Sequence, residues 1–217
     1  KYILTMYADG SYLHILLQHT EQRGTIVADR LPIQPTQASL EEAVFSQPIL
    51  TRAFEKVFFI ADSTRYTFIP NAFASAEDNP RYFNFCFPDS DGTAVSAELP
   101  HTGAQILFDV DTERLSFVRR TFDRPVVLHR LAPMCEYFYR KSRLAYNAKL
   151  YVHWGSESID LFAFNQQGLL LANSFAIHHV NDGIYYILNV WKQLGFNATD
   201  DELSLSGDHR ELRQHII

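Results

Sequence analysis

Leu150-Tyr-Val-His-Trp-Gly-Ser-Glu-Ser-Ile-Asp-Leu-Phe-Ala-Phe164 is the stretch whose reading decides the fold. Two apolar runs, Lys149–Trp154 and Ser158–Phe164, flank a short polar turn at Gly155-Ser-Glu157. Runs of this length bounded by small polar residues read as the strands of a hairpin. A second turn at Asn165–Gly168 leads into a third run, Leu169–Ile177. Next, Asn181–Leu194 places Ile184, Ile187, Leu188, Trp191 and Leu194 on one helical stripe, with Gly195 as its C-terminal stop. Leu203-Ser-Leu-Ser206 reads as a short strand, Gly207-Asp208 as a turn, and Asp208–Ile217 as a further helix.

The same order occurs at the start of the chain. Tyr2–Tyr7 and Tyr12–Leu17 are joined through Ala8-Asp9-Gly10-Ser11, and Asp-Gly between apolar runs is a hairpin signal because Gly tolerates positive φ. A polar link leads to Thr25–Leu31, closed by Pro32 and Pro35. Ser39-Leu-Glu-Glu42 has the form of a capping box, so a helix is expected over Leu40–Ser46, resuming from Pro48. Lys56–Ala61 then reads as a buried strand. Three strands, a helix and a strand therefore occur at Tyr2–Ala61 and again at Lys149–Ser206. Between the repeats, Arg65–Ile69 is a strand stopped by Pro70, Pro80–Phe87 a helix, and Thr93–Leu99 and Gln105–Val110 are strands. Asp111 caps a helix over Thr112–Phe122, Pro125–Leu131 is a strand, and Pro133 opens a helix to Arg143.

With 217 residues, 47% hydrophobic and 20% charged, the chain has ample core material for one large or two small domains. A net charge of −6 argues against general nucleic-acid binding, which draws on a basic face. No apolar run approaches the ~20 residues needed to span a bilayer, and no signal peptide is read. Cys86 and Cys135 lie in apolar segments far apart and are expected as buried, reduced thiols, which points to a cytoplasmic protein. The aromatic residues at 82, 83, 85, 87, 137, 138 and 139 are expected in the core, an exposed subset being a possible protein-binding patch. The basic runs Arg119-Arg120 and Arg140–Arg143 read as solvated helix faces, or alternatively as docking points for an acidic partner.

KVFFIADSTRYTFIP from Lys56, the strand–helix–strand–helix run from Ile106 to Arg140, and LYVHWGSESIDLFAFNQQGLLLANSFAI from Leu150 resemble, in order and spacing, actin-like ATPases. The likeness is to the branch that includes type IV pilus assembly and cell-division proteins, and nearest to an uncharacterised bacterial family with an actin-like fold. The resemblance implies an α/β fold of two ribonuclease-H-like subdomains with mixed central sheets flanked by helices. The expected subdomains are residues 1–146 and 147–217, the second incomplete at its C-terminus. It also implies ATP with Mg²⁺ between the subdomains. In such proteins the first turn carries Asp-x-Gly and the second an acidic residue followed by a Gly-containing turn. If a nucleotide is bound here, the positions for it are Asp9 and Gly10 in the first turn, Gly155, Ser156 and Ser158 in the second, and Gly207 near the base.

The substitutions at these positions argue against that activity. His153 stands at the acidic position, and an imidazole is a poor ligand for a hard cation such as Mg²⁺. Trp154 beside it narrows the turn. His178-His179 replaces the Gly-Gly pair expected before the long helix, and Asp208 puts a carboxylate where bare backbone would approach the base. No residue stands out to position water for phosphoryl transfer. No catalytic residue and no metal-ligand set is therefore assigned. Convergence of His153, His178 and His179 on a metal is the weaker reading, as is a pairing of Glu157 with Asp160, which are expected as solvated charges. The functional reading is a degenerate, non-catalytic cytoplasmic interaction or scaffold module with a protein partner and no cofactor. The alternative is an ATPase that binds ATP·Mg²⁺ between the subdomains.

Overall fold

The computed structural model describes residues 1–21 and 26–208, so the helix expected over Asp208–Ile217 falls almost wholly outside the described residues. The chain forms two compact units, Lys1–Glu98 with Ala104–Ala132, and Leu99–Gly103 with the chain from Pro133 onward.

The first unit is built on β1 (Tyr2–Ala8), β2 (Tyr12–His19), β3 (Ile26–Pro32), α1 (Gln37–Phe45) and β4 (Lys56–Ala61). β5 (Tyr66–Pro70), a single 3₁₀ turn, α2 (Asn79–Cys86), β6 (Thr93–Leu99) and β7 (Ala104–Val110) follow, then α3 (Thr112–Thr121) and β8 (Val126–His129). The main sheet runs β3-β2-β1-β4-β8 and a smaller sheet runs β5-β7-β6. β1 is antiparallel to β2 and parallel to β4, which is parallel to β8. Alternation places Leu4, Met6, Leu13, Ile15, Leu17, Val57 and Phe59 in the core. α1 and α3 pack together, with Phe45 edge-on to Phe117 at 5.8 Å.

The second unit contains β9 (Lys149–Trp154), β10 (Ser158–Asn165), β11 (Gly168–Ala176), α5 (Val180–Gln193) and β12 (Glu202–Gly207), preceded by α4 (Leu131–Ser142), whose last ten residues belong to it. The sheet order β11-β10-β9-β12 repeats β3-β2-β1-β4 strand for strand, with the same two antiparallel pairings and one parallel pairing. One face carries Leu150, Val152, Trp154, Ile159, Leu161 and Ala163 against Ile187 and Val190 of α5. On the other face Phe138 of α4 lies over Tyr151 at 4.6 Å and Phe162 at 5.3 Å. Burial on both faces is why six consecutive residues of β10 are apolar or sheltered from water.

Three local expectations are corrected. α1 starts three residues earlier than Ser39 would allow as a cap. Thr36 is the N-cap and accepts the Ser39 N–H, while Ser39 accepts the N–H of Gln34 instead of forming a capping box with Glu42. The helix does not resume at Pro48, where the chain makes turns. Cys135 is buried, and burial pushes its thiol up to about 12, but Cys86 is exposed. Phe83 and Phe138 are core residues as expected, whereas Phe85 is 88% exposed because it points away from the sheet that Phe83 packs on.

Candidate functional site

The first turn is organised by the Asp9 side chain. Its Oδ1 accepts the backbone N–H groups of Ser11 at 2.9 Å and Tyr12 at 2.7 Å, and Oδ2 meets His14 Nε2 at 2.7 Å. The hydrogen bond from His14, joined by those from Ser11 and Tyr12, holds the Asp9 carboxyl below the usual carboxylate range. Gly10 takes φ +91, which the tight turn requires. The Ser11 and Tyr12 amides of this turn are thus taken by its own carboxylate.

In the second turn, Gly155 donates its N–H to the Ser158 carbonyl at 2.8 Å, and Ile177 donates to the Glu157 carbonyl at 2.9 Å. Gly155 and Ser158 face each other across the hairpin, with Ser156 exposed at its tip. Trp154 does not narrow this turn. Its indole is buried beneath α5, where a Cβ at Gly183 would fall 2.2 Å from Cη2. Gly207, paired with Trp154 across β12 and β9, takes φ +82, and a Cβ there would fall 2.2 Å from the Trp154 carbonyl oxygen. Gly183 and Gly207 are therefore glycines because of Trp154, one against its ring and the other against its backbone.

The start of α5 is capped from within. Asp182 Oδ2 accepts the N–H groups of His178 and His179, each at 2.9 Å. These two bonds, with desolvation opposing them, hold its carboxyl below the usual range. His153 lies on the opposite face of the sheet from Trp154, because successive strand residues alternate faces. Its Nδ1 is 3.3 Å from Ser206 Oγ, which itself donates to the Val152 carbonyl at 3.1 Å. Across β10, Asp160 pairs in register with both His153 and Ser174. Asp160 is only 2% exposed, so it is not the solvated charge expected; Glu157, at the turn, is exposed. Among the described residues no three His, Cys, Asp or Glu side chains group as metal ligands.

The larger polar site was not legible from the turn motifs. It is a cavity of about 500 Å³ beyond the carboxyl ends of β1 and β4, lined by Ala8, Asp62–Arg65 and the start of α3. Ligands in α/β sheets characteristically bind beyond such strand ends. Asp109 forms one wall. Ser90 Oγ donates to it at 2.7 Å, Arg65 reaches it at 3.3 Å, and Ser63 Oγ donates as well. Burial opposes ionisation of Asp109, but these three donors together hold its carboxyl below the usual range. Beside it Asp62 receives Arg130 at 2.7 Å and the Tyr7 hydroxyl at 3.0 Å, and burial with this carboxylate pushes the Tyr7 phenol up to about 12. The signal in the sequence was the break of a buried parallel strand at Asp62-Ser-Thr-Arg65. The partners Ser90 and Asp109 come from elements that only folding brings there.

The family model described as "Protein of unknown function (DUF3822)" matches residues 1–216. Among solved structures, the chain is similar to a protein from Bacteroides thetaiotaomicron with an actin-like ATPase fold and unknown function. Identity is 26%, the match covers 99% of this chain and 86% of that one, and the TM-score is 0.87. It is also similar to the PilM–PilN type IV pilus biogenesis complex, at 14% identity over 90% of this chain and 66% of that one, with a TM-score of 0.48. An exopolyphosphatase from Cytophaga hutchinsonii aligns at 10% identity over 89% and 60%, with a TM-score of 0.38. No curated protein matches the chain. The fold is that of the actin-like ATPases, as the resemblance implied.

Proposed function

The chain belongs to the DUF3822 family, and from that premise we propose that it is a degenerate actin-like protein, a non-catalytic interaction or scaffold module of the cytoplasm. The observation that carries this reading is the prior engagement of the phosphate-cradling groups. A phosphate site needs free backbone donors and glycines that let it approach. In this chain the Asp9 carboxylate takes the Ser11 and Tyr12 amides of the first turn, the Ser158 carbonyl takes that of Gly155, and Asp182 takes those of His178 and His179 just before α5. Gly183 and Gly207 serve Trp154. The cavity beyond β1 and β4 adds an electrostatic argument, since its lining carries five carboxylates against two guanidiniums and so opposes a polyphosphate. Asp109 there is held ionised by three donors, whereas a general base works best with a pKa near the operating pH.

A protein partner is in keeping with large apolar side chains left in water, among them Phe73 at 64% and Phe85 at 88% exposure. The described helices include none long and apolar enough to cross a membrane. The competing reading, an ATPase binding ATP·Mg²⁺, draws on the fold alone. Isothermal titration of the full chain with ATP·Mg²⁺ separates them. No saturable heat is expected; a micromolar Kd would overturn this reading, and phosphate release above background would be needed for the ATPase reading to replace it.

A further inference from the structure

A second cavity, of about 280 Å³, lies in the first unit between α2 and the small sheet β5-β7-β6. Its walls are mainly apolar. Phe83 of α2 and Leu107 of β7 are both buried, Val95 of β6 is half-buried, and Ala76, Pro80 and Ala94 complete the lining. Asn79 is part of the frame and is already satisfied. Its Oδ1 accepts the Ser75 N–H at 3.1 Å and its Nδ2 donates to Gln105 Oε1 at 2.9 Å, which ties the start of α2 to β7. The remaining polar groups are Ser96 and Arg119. Arg119 is the one charged residue of this lining, and no carboxylate among the described residues lies within ion-pair distance of it.

A preformed, mostly apolar hollow with a few polar groups, one of them charged, is a common form of small-molecule site. We propose that this cavity binds a small apolar carboxylate, its hydrocarbon body against Phe83, Val95 and Leu107 and its carboxylate on the Arg119 guanidinium. Charge decides the ligand's sign. In a chain of net charge −6, this lining holds a lone cation whose planar fork matches a carboxylate with two parallel hydrogen bonds. Volume decides its size. An apolar cavity of ~150 Å³ accepts benzene, so this one accommodates about ten non-hydrogen atoms, the scale of an arylacetate or a medium-chain aliphatic acid. The site is independent of both phosphate turns, so its ligand does not depend on the fate of the nucleotide site.

The test uses the full chain and three probes: phenylacetate, hexanoate and the neutral isostere 2-phenylethanol, followed by chemical-shift perturbation. Phenylacetate should shift the amides of residues 79–83 and 94–96 saturably, and 2-phenylethanol should bind at least tenfold more weakly. Arg119→Met keeps the stem that covers the cavity and removes the charge; it should abolish the preference for the carboxylate while leaving the protein folded, as Arg119 is exposed. Ala94→Leu, which fills the cavity, should abolish binding of all three. Saturation without preference for the carboxylate, binding unaffected by Arg119→Met, or no shifts at the lining residues up to solubility would each overturn the proposal.

Discussion

The four strands β3-β2-β1-β4 and the four strands β11-β10-β9-β12 share order and direction, yet the two sheets are stabilised differently. β2 alternates buried and exposed residues, as a strand with one sheltered face does, whereas β10 is buried along six successive positions because α5 and α4 cover its two faces. The first turn is held by a side chain, Asp9, and the second by a backbone pair, Gly155 with Ser158. The first connecting helix is capped by Thr36, the second by Asp182 reaching back to two amides. One topology thus tolerates different local solutions wherever backbone groups find partners, and in the second unit those solutions converge on Trp154.

The comparison breaks most decisively at Trp154. Trp154→Ala should destabilise the chain by about 3–5 kcal/mol in urea unfolding, the cost of emptying a large aromatic site. Gly183→Val should cost about 3 kcal/mol by overpacking the same indole, and combined with Trp154→Phe the loss should be smaller than the sum of the two single effects. An additive double mutant would mean that ring and glycine are not in contact. Next come two of the five positive-φ glycines among the described residues, Gly10 and Gly207. Gly10→Ala meets nothing within 4 Å and should cost about 1 kcal/mol for backbone strain alone. Gly207→Ala adds a clash with the Trp154 carbonyl and should cost about 3 kcal/mol. Equal costs would remove the steric role assigned to Trp154.

Helix caps give smaller effects. Asp111 accepts the Arg114 N–H at 2.8 Å, so Asp111→Ala should cost about 1 kcal/mol and lower the thermal midpoint by a few degrees. The smallest effect is the acid response of Asp9 and Asp182. Both carboxyls are depressed in the folded state, so their contribution is fully present above the unfolded carboxylate value near ~4 and is lost as pH falls through the folded value. Asp9→Asn and Asp182→Asn should each flatten the loss of thermal stability below about pH 4, and an unchanged slope would show that these hydrogen bonds do not persist in solution.

Much of the fold could be read in advance because strand and helix periodicities are local. The hairpins, the cap at Asp111 and the repeated order of elements appeared where expected, and so did the stripe of α5 apart from Leu188, which is 62% exposed and outside the core. The capping box at Ser39 failed because Thr36 also presents a hydroxyl, and three-residue spacing alone does not choose between two caps. Trp154 was misplaced because its position beside the turn implies nothing about which face of the strand it occupies relative to a helix 26 residues further on. Asp160 was assigned to solvent because the covering of the second sheet face depends on α4, from another part of the chain.

By itself the sequence determined the order of elements and the duplicated layout, since each rests on residue types over a few neighbouring positions. Only the tertiary structure decided what the remaining glycines are for. Gly183 and Gly207 could have served a nucleotide or a neighbouring side chain, and the choice depends on which atoms lie within about 3 Å of a missing Cβ. The same holds for the acids. Asp9, Asp109 and Asp182 are alike in the sequence, but the donors around each, drawn from turns, distant strands and helix ends, assign their carboxylates to the protein's own groups.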